Sequence, residues 1–366
     1  MKKILILSHT GSESHFKIGS HHYANELSKK GYEVSYIGAP NTIIHRIFGR
    51  HTSGERKIDS LVINKDLRFI FPITLKYNIA FVLFNLILHK ITHKEDKDSK
   101  FDLVICDYPF FSPYLNLFTF DKMIYRPTDT YLFMTGGKVK LYEKKIIKLA
   151  SHIVATSDKV AEDIKDIYGV EVENKNISVL SNGYEHDLFF KSDDILKKTR
   201  NGSVYIGALD YRFDFDALES LARNYKNDKF DIFGPISKGF NNKILELSNK
   251  YKNIHFYGEV SYTKIPEILL NYKVGLLLLN DNNSNYGRSP MKLWEYAAAG
   301  LHILYTKIIV NDIYSFLHYY DESDMFLKYT EAKNAPLEIN EINKIKKYSW
   351  DQKTEYLIQK IISEDL

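Results

Sequence analysis

Arg288-Ser-Pro-Met-Lys-Leu-Trp-Glu-Tyr-Ala-Ala-Ala-Gly300 is the stretch whose reading decides the fold. Ser289 suits an N-cap, and Pro290 suits the first helical position, where no hydrogen-bond donor is lost. The alanine run favours helix, and Gly300 can supply the left-handed stop. Before it, Val274-Gly-Leu-Leu-Leu-Leu279 is an apolar run of buried-strand length; after it comes His302-Ile-Leu-Tyr305, another strand. Strand, loop, helix and strand in that order build a parallel sheet, and such sheets bind ligands beyond the carboxyl ends of their strands. The helix start offers free backbone N–H groups and the cation of Lys292, which together favour an anion such as phosphate. Glu295 follows three residues later on the same helix face. A cation for phosphate and a carboxylate for sugar hydroxyls suit a nucleotide sugar; a solvated Lys–Glu pair has the same spacing.

The bulk composition sets the frame. With 366 residues the chain is long enough for two ordinary domains. A hydrophobic content of 44% and a charged content of 26% describe a globular protein. The single Cys106 excludes a disulfide framework and a cysteine-based zinc site, and fits a reducing cytoplasm. The opening Met-Lys-Lys-Ile-Leu-Ile-Leu-Ser reads as a first buried strand, since its apolar run is too short for a signal peptide. A net charge of +4 without a dense basic block gives no case for nucleic acid.

Strand and helix patterns alternate along the first half, with strands at residues 4–8, 32–37, 101–107, 123–126 and 153–156. Helices are expected at 19–31 and around 141–150. The second half restarts the same alternation at residue 202, with helices at 216–224, 243–252 and 262–270, after a charged linker over residues 191–201. The expected architecture is α/β: two doubly wound, Rossmann-like domains facing a central cleft. Residues 75–91 stand apart as an apolar segment too short to span a bilayer. They form either a core helix or a membrane-surface helix with basic flanks.

Several separated pieces resemble the GT-B glycosyltransferases. They are Gly19-Ser-His-His-Tyr-Ala24, Tyr125-Arg-Pro-Thr-Asp-Thr130, Ser181-Asn-Gly-Tyr-Glu-His-Asp-Leu-Phe189, Val204-Tyr-Ile-Gly-Ala-Leu-Asp-Tyr-Arg-Phe-Asp214 and the stretch from Ser289 to Leu301. In this order they are similar to bacterial enzymes of surface-polysaccharide assembly, in particular the subgroup around the xanthan-pathway glucuronosyltransferase. The resemblance implies an acceptor-binding domain over residues 1–190 and a nucleotide-sugar-binding domain over residues 191–348. It also implies a terminal helix over residues 349–366 that crosses back to the first domain.

The resemblance assigns the diphosphate to Lys292, the ribose hydroxyls to Glu295, and a place beside base or phosphate to Met291, with Ser289 and Pro290 at the helix start. The loop from Gly207 to Arg212 is a second expected phosphate contact, or a turn in which Arg212 pairs with Asp210 or Asp214. Asn182, a further donor-binding candidate, and Gly183 line the interdomain region or form a plain turn. On the acceptor side, Ser12, His21 and His22 are candidates, and His15 lies near them. The adjacent His21 and His22 have poor spacing for a metal, and no carboxylate pattern completes a site.

Transfer to a hydroxyl with inversion needs a base, and the resemblance points to Asp129, whose other reading is a helix cap or a partner for Arg126. Retaining relatives carry a Glu-x₇-Glu motif whose second glutamate matches Glu295; here Gly287 and Arg288 precede the helix, and the first glutamate is absent at Gly287. The expectation is therefore an inverting glycosyltransferase with a UDP-sugar donor and a saccharide or lipid-linked saccharide acceptor. No cofactor or divalent metal is expected; the expected place is the cytoplasm, with the inner face of the plasma membrane as the narrower alternative. Retention with a UDP- or GDP-sugar, a silent sugar-nucleotide-binding scaffold and a sugar-nucleotide epimerase are the alternatives.

Overall fold

The computed structural model describes residues 1–14, 16–48, 54–75, 78–92, 100–191, 195 and 199–363. His15 and most of the expected linker over 191–201 lie outside the described residues. Packing divides the chain into one unit of Met1–Ser181 with Lys353–Leu366, and a second of Asn182–Gln352. The divisions thus fall near, but not at, the residues 190 and 348 read from the sequence.

The first unit is built on a seven-stranded sheet in the order Ile63–Asn64, Glu33–Ile37, Lys3–Leu7, Lys100–Cys106, Thr119–Tyr125, His152–Ala155, Asn176–Val179. Its pairings are parallel throughout. The inner strand Lys3–Leu7 is apolar along most of its length because the parallel sheet is covered on both faces: Ile4, Leu5, Ile6 and Leu7 are all buried. The terminal segment belongs to this unit, where Lys353 Nζ donates to Ser181 Oγ at 2.7 Å and Lys30 Nζ to Glu355 at 3.1 Å.

The second unit carries a six-stranded sheet in the order Ile254–Gly258, Phe230–Phe233, Ser203–Ile206, Val274–Leu277, His302–Tyr305, Leu317–Tyr319. All of its pairings are parallel. Val274–Leu277 stands at its centre, and Gly275 lets the ring of Tyr296 lie on the strand, since a Cβ at Gly275 would meet that ring at 2.3 Å. The Tyr296 hydroxyl accepts the Ile206 N–H at 2.7 Å and so ties the helix after this strand to the strand beside it.

The apolar segment forms the helix Ile79–Thr92, and its polarity is inverted. Its one fully buried residue is Asn85, which accepts from the N–H groups of Ile70 and Phe71 and donates to Phe71 O and Tyr114 Oη. Val82 and Leu86 pack on the core. Ile79, Leu83, Phe84, Ile87 and Ile91 are each more than half exposed. Lys76 and Tyr77, which the sequence reading placed in this segment, lie outside the described residues. Among the described residues no helix is long and apolar enough to cross a membrane.

Candidate functional site

In the second unit the helix begins at Met291 and runs to Ala298. Pro290 is its N-cap, and Ser289, expected in that role, makes no cap hydrogen bond. Asn182 claims Ser289 instead: its N–H donates to Ser289 Oγ at 2.8 Å and its side-chain amide to Ser289 O at 2.9 Å. Asn182 thus fastens the loop before the helix. Gly183 is no plain turn, for a Cβ there would meet Tyr348 O at 2.6 Å, and neighbouring Tyr184 bridges to Ser349. Gly300 does provide the left-handed stop, at φ +82°.

Lys292 leaves the first turn toward the carboxyl end of Ser203–Ile206. Its ammonium lies 4.7 Å from the centre of the Tyr205 ring. A Cβ on Gly207 would stand 2.1 Å from Nζ, so the glycine makes the room that Lys292 occupies. Arg212 is held by Asp210 through Nε at 3.0 Å, and Asp210 also takes the Arg212 N–H at 2.9 Å. The Gly207–Arg212 loop is therefore a turn with an internal ion pair, the bland alternative, yet its guanidinium still acts on Lys292. Burial, then Arg288, pull the Lys292 pKa down to about 8; Glu295 opposes and Arg212 adds to the lowering. Cations gathered beside a helix start favour an anionic ligand there.

Glu295, one turn on, is buried and accepts the Tyr262 hydroxyl at 2.9 Å. Burial raises its pKa to about 7 against the Tyr262 hydrogen bond and Lys292, with Glu185 adding to the rise. Met291 is half-buried at the helix start. Arg288, Tyr205, Tyr262 and Glu185 were not singled out from the sequence. Arg288 lay inside the quoted stretch as a charge next to Lys292; the others come from distant elements and carry no local signal.

In the first unit, Lys3–Leu7, Lys100–Cys106 and Thr119–Tyr125 are neighbours in the sheet, and their carboxyl ends lead to His9, Asp107 and Asp129. Asp107 is fully buried; it accepts the His9 N–H at 3.2 Å and the Ser20 hydroxyl. His9 Nδ1 is 3.8 Å from the same carboxylate, with the ring 36% exposed. Buried Arg126 lies with its guanidinium 4.8 Å from the Tyr23 ring centre. Asp129 is half-buried, and it is not a helix cap: Thr130 precedes the helix Tyr131–Thr135.

The acceptor-side histidines sit elsewhere than expected. His21 is fully buried, takes the Ile18 N–H on Nδ1, pairs Nε2 with Gly11 O at 2.8 Å and stacks on Tyr36. Burial lowers its pKa to about 4, so it is a neutral strap for the loop. His22 is also buried, and burial holds its pKa well down. Both rings are buried because the first two turns of the helix Gly19–Lys29 are enclosed all round, residues 19–25 being buried without a break. Ser12 is partly exposed and its carbonyl takes the Lys57 N–H. Among the described residues no group of three or more His, Cys, Asp or Glu side chains is placed to hold a metal ion.

Residues 19–188 match the family model described as Glycosyltransferase Family 4. A glycosyltransferase of Bacillus subtilis (strain 168), named for teichuronic acid biosynthesis (TuaH), is 24% identical over 217 residues. That match covers 55% of this chain and about half of the relative, 54%. Sucrose-phosphate synthase from Thermosynechococcus elongatus superposes with a TM-score of 0.70 at 12% identity, covering 100% of this chain and 99% of that one. HepE of Anabaena, solved in complex with UDP-glucose, superposes at 0.60 and 12% identity, over 98% and 95% of the two chains. The xanthan-pathway subgroup is not singled out by these matches. The chain therefore has the GT-B fold, and its residues 19–188 are similar to glycosyltransferase family 4.

Proposed function

We propose that the chain is an inverting glycosyltransferase that moves a sugar from a UDP-sugar to a hydroxyl of a saccharide or lipid-linked saccharide during surface-polysaccharide assembly. The crowding of Lys292, Arg288 and Arg212 at one helix start, one turn from buried Glu295, carries this reading. The cations answer the diphosphate, and Glu295 with Tyr262 answers the ribose hydroxyls. HepE, solved with UDP-glucose, supports the donor class, and the relative named for teichuronic acid biosynthesis supports the acceptor class. Inversion rests on Gly287 standing where retaining relatives carry glutamate, and on Asp129 at a strand end as the base expected from the resemblance. The diphosphate charge is met here by side chains and helix dipole, without a divalent cation.

The same reading puts the acceptor at a lipid surface on the cytoplasmic side of the membrane. Residues 67–92 contain no acidic side chain and include Arg68, Lys76 and Lys90. With the outward apolar face of Ile79–Thr92, that charge suits an anionic bilayer.

A thermal-shift panel of nucleotide sugars tests the donor site. A ligand at a hundred times its Kd adds about 2.7 kcal/mol to stability. A UDP-sugar should raise Tm, and Lys292→Ala should remove the shift; a shift unchanged in the variant rules out the phosphate site. Product NMR should then show the inverted anomer, with turnover unaffected by chelator.

A further inference from the structure

We infer that Thr130 and buried Asp163 are positioning residues for the transfer: through one hydrogen bond they fix the turn that carries Asp129 before any acceptor arrives. The inference rests on the inverting transfer proposed above, with Asp129 as its base, and all of its residues belong to the first unit.

The fold treats Asp129 and its neighbours in opposite ways. Among the described residues no hydrogen bond or ion pair reaches the Asp129 carboxylate. Arg126, the partner open to it in the sequence, lies over the Tyr23 ring. The residues on either side are tied down. Before Asp129, the Thr156 hydroxyl donates to Thr128 O at 2.8 Å and the Thr156 N–H to Pro127 O at 3.3 Å. The Tyr131 hydroxyl donates to Asp107 O and so takes the Thr128 hydroxyl, at 3.0 Å. After Asp129, the Thr130 hydroxyl donates to Asp163 Oδ2 at 2.6 Å.

Two features single out this last bond. Thr130 is the N-cap of the helix Tyr131–Thr135, where a threonine hydroxyl ordinarily accepts an N–H of its own first turn. Here it makes no cap bond and reaches a carboxylate 33 residues along the chain. Asp163 is buried on the helix Asp158–Tyr168, and a buried carboxylate is costly unless its oxygens are bonded. Lys159, one turn earlier, answers Oδ1; Thr130 answers Oδ2. A hydrogen bond to an ionised carboxylate is among the stronger ties a turn can have. The bonds thus fall on the flanks of Asp129 and leave its own oxygens for a ligand. A base already held in its working position needs no reorganisation, and misplacement by about 1 Å costs about 100-fold in rate.

The step that this turn serves balances as follows. The acceptor O–H bond breaks and its proton goes to an Asp129 oxygen. The acceptor oxygen bonds to the anomeric carbon, whose bond to the diphosphate oxygen breaks, the electron pair leaving with the nucleoside diphosphate. Asp129 then returns its proton to solvent.

The test follows UDP or GDP release from UDP-glucose, UDP-galactose, UDP-glucuronic acid, UDP-N-acetylglucosamine and GDP-mannose, with water or n-octyl glucoside as acceptor. The fastest pair is used for the variants. Asp129→Asn should lower kcat about 100-fold or more. Thr130→Val should lower kcat about 10-fold, with the donor KM and the nucleotide-induced thermal shift unchanged. Thr130→Ser, which keeps the hydroxyl, should restore most of that loss. Asp163→Ala leaves Thr130 itself intact and should reproduce the loss, so it decides the matter if Thr130→Val does not fold. Added to Asp129→Asn, Thr130→Val should cost nothing further, because its effect passes through the carboxylate already removed. A wild-type kcat in both Thr130→Val and Asp163→Ala, beside a slow Asp129→Asn, overturns the positioning alone. So does a loss of the same factor in the Asp129→Asn background, or a Thr130→Ser chain as slow as Thr130→Val. A wild-type kcat in Asp129→Asn, or no release from any donor, overturns the base and the positioning together.

Discussion

Lys292 is the residue on which the proposed donor site turns, and its environment sets a pH dependence. Burial and neighbouring cations hold its pKa near 8, so the free chain loses this ammonium as pH rises through about 8. A bound diphosphate favours the ammonium and raises that pKa. By linkage, donor affinity is level below about pH 8 and falls above it, up to tenfold per pH unit, until the pKa of the complex is reached. Titration calorimetry with UDP from pH 7 to pH 9.5 checks this. Lys292→Met should bind weakly at every pH and lose the slope; a wild-type affinity flat to pH 9.5 would show that Lys292 does not face the anion. Both Lys292 and Glu295 were legible in the sequence, because helix spacing alone puts them on one face. The states they are held in were not, because Arg212, Tyr262 and Glu185 reach them from other elements.

At the scale of elements, the unit from Val274–Leu277 through Met291–Ala298 to His302–Tyr305 was legible, since buried parallel strands and a glycine-stopped helix have strong local signatures. Its packing depends on Gly275. The Tyr296 ring occupies the space a Cβ would need, and that ring is buried and hydrogen-bonded to Ile206. Gly275→Ala should therefore destabilise the chain by about 1–3 kcal/mol, read as a lower denaturation midpoint in urea. A midpoint equal to wild type would mean that Tyr296 can move aside freely. Less legible were Asn176–Val179 and Leu317–Tyr319, edge strands whose short, partly exposed runs lack the apolar signature of central ones. Helix Asp158–Tyr168 carried a usable signal that was passed over, Ser157, whose Oγ accepts the Val160 N–H at 3.1 Å. Ser289 shows the converse, a good capping residue diverted by a partner 107 positions away.

At the scale of the whole molecule, the question left by the fold is why one helix wears its apolar side outward. A core helix buries its nonpolar stripe; Ile79–Thr92 buries Asn85 and turns Ile79, Leu83, Phe84, Ile87 and Ile91 to solvent. The amide is satisfied four times over by Ile70, Phe71 and Tyr114, so this orientation is fixed by hydrogen bonds and is not a loose packing choice. Each large apolar side chain transferred from water contributes about 1.5–3 kcal/mol when fully buried, and a basic residue near an anionic surface contributes about 1 kcal/mol. A few partly inserted side chains with Lys90 then suffice for reversible attachment that weakens with salt. The chain should float with phosphatidylglycerol–phosphatidylcholine vesicles and much less with phosphatidylcholine alone. Because Leu83 and Ile87 are exposed, Leu83→Glu with Ile87→Glu should leave Tm near wild type while abolishing flotation. Flotation undiminished in that double variant, or equal on both vesicle types, would remove the lipid surface from the account of this helix.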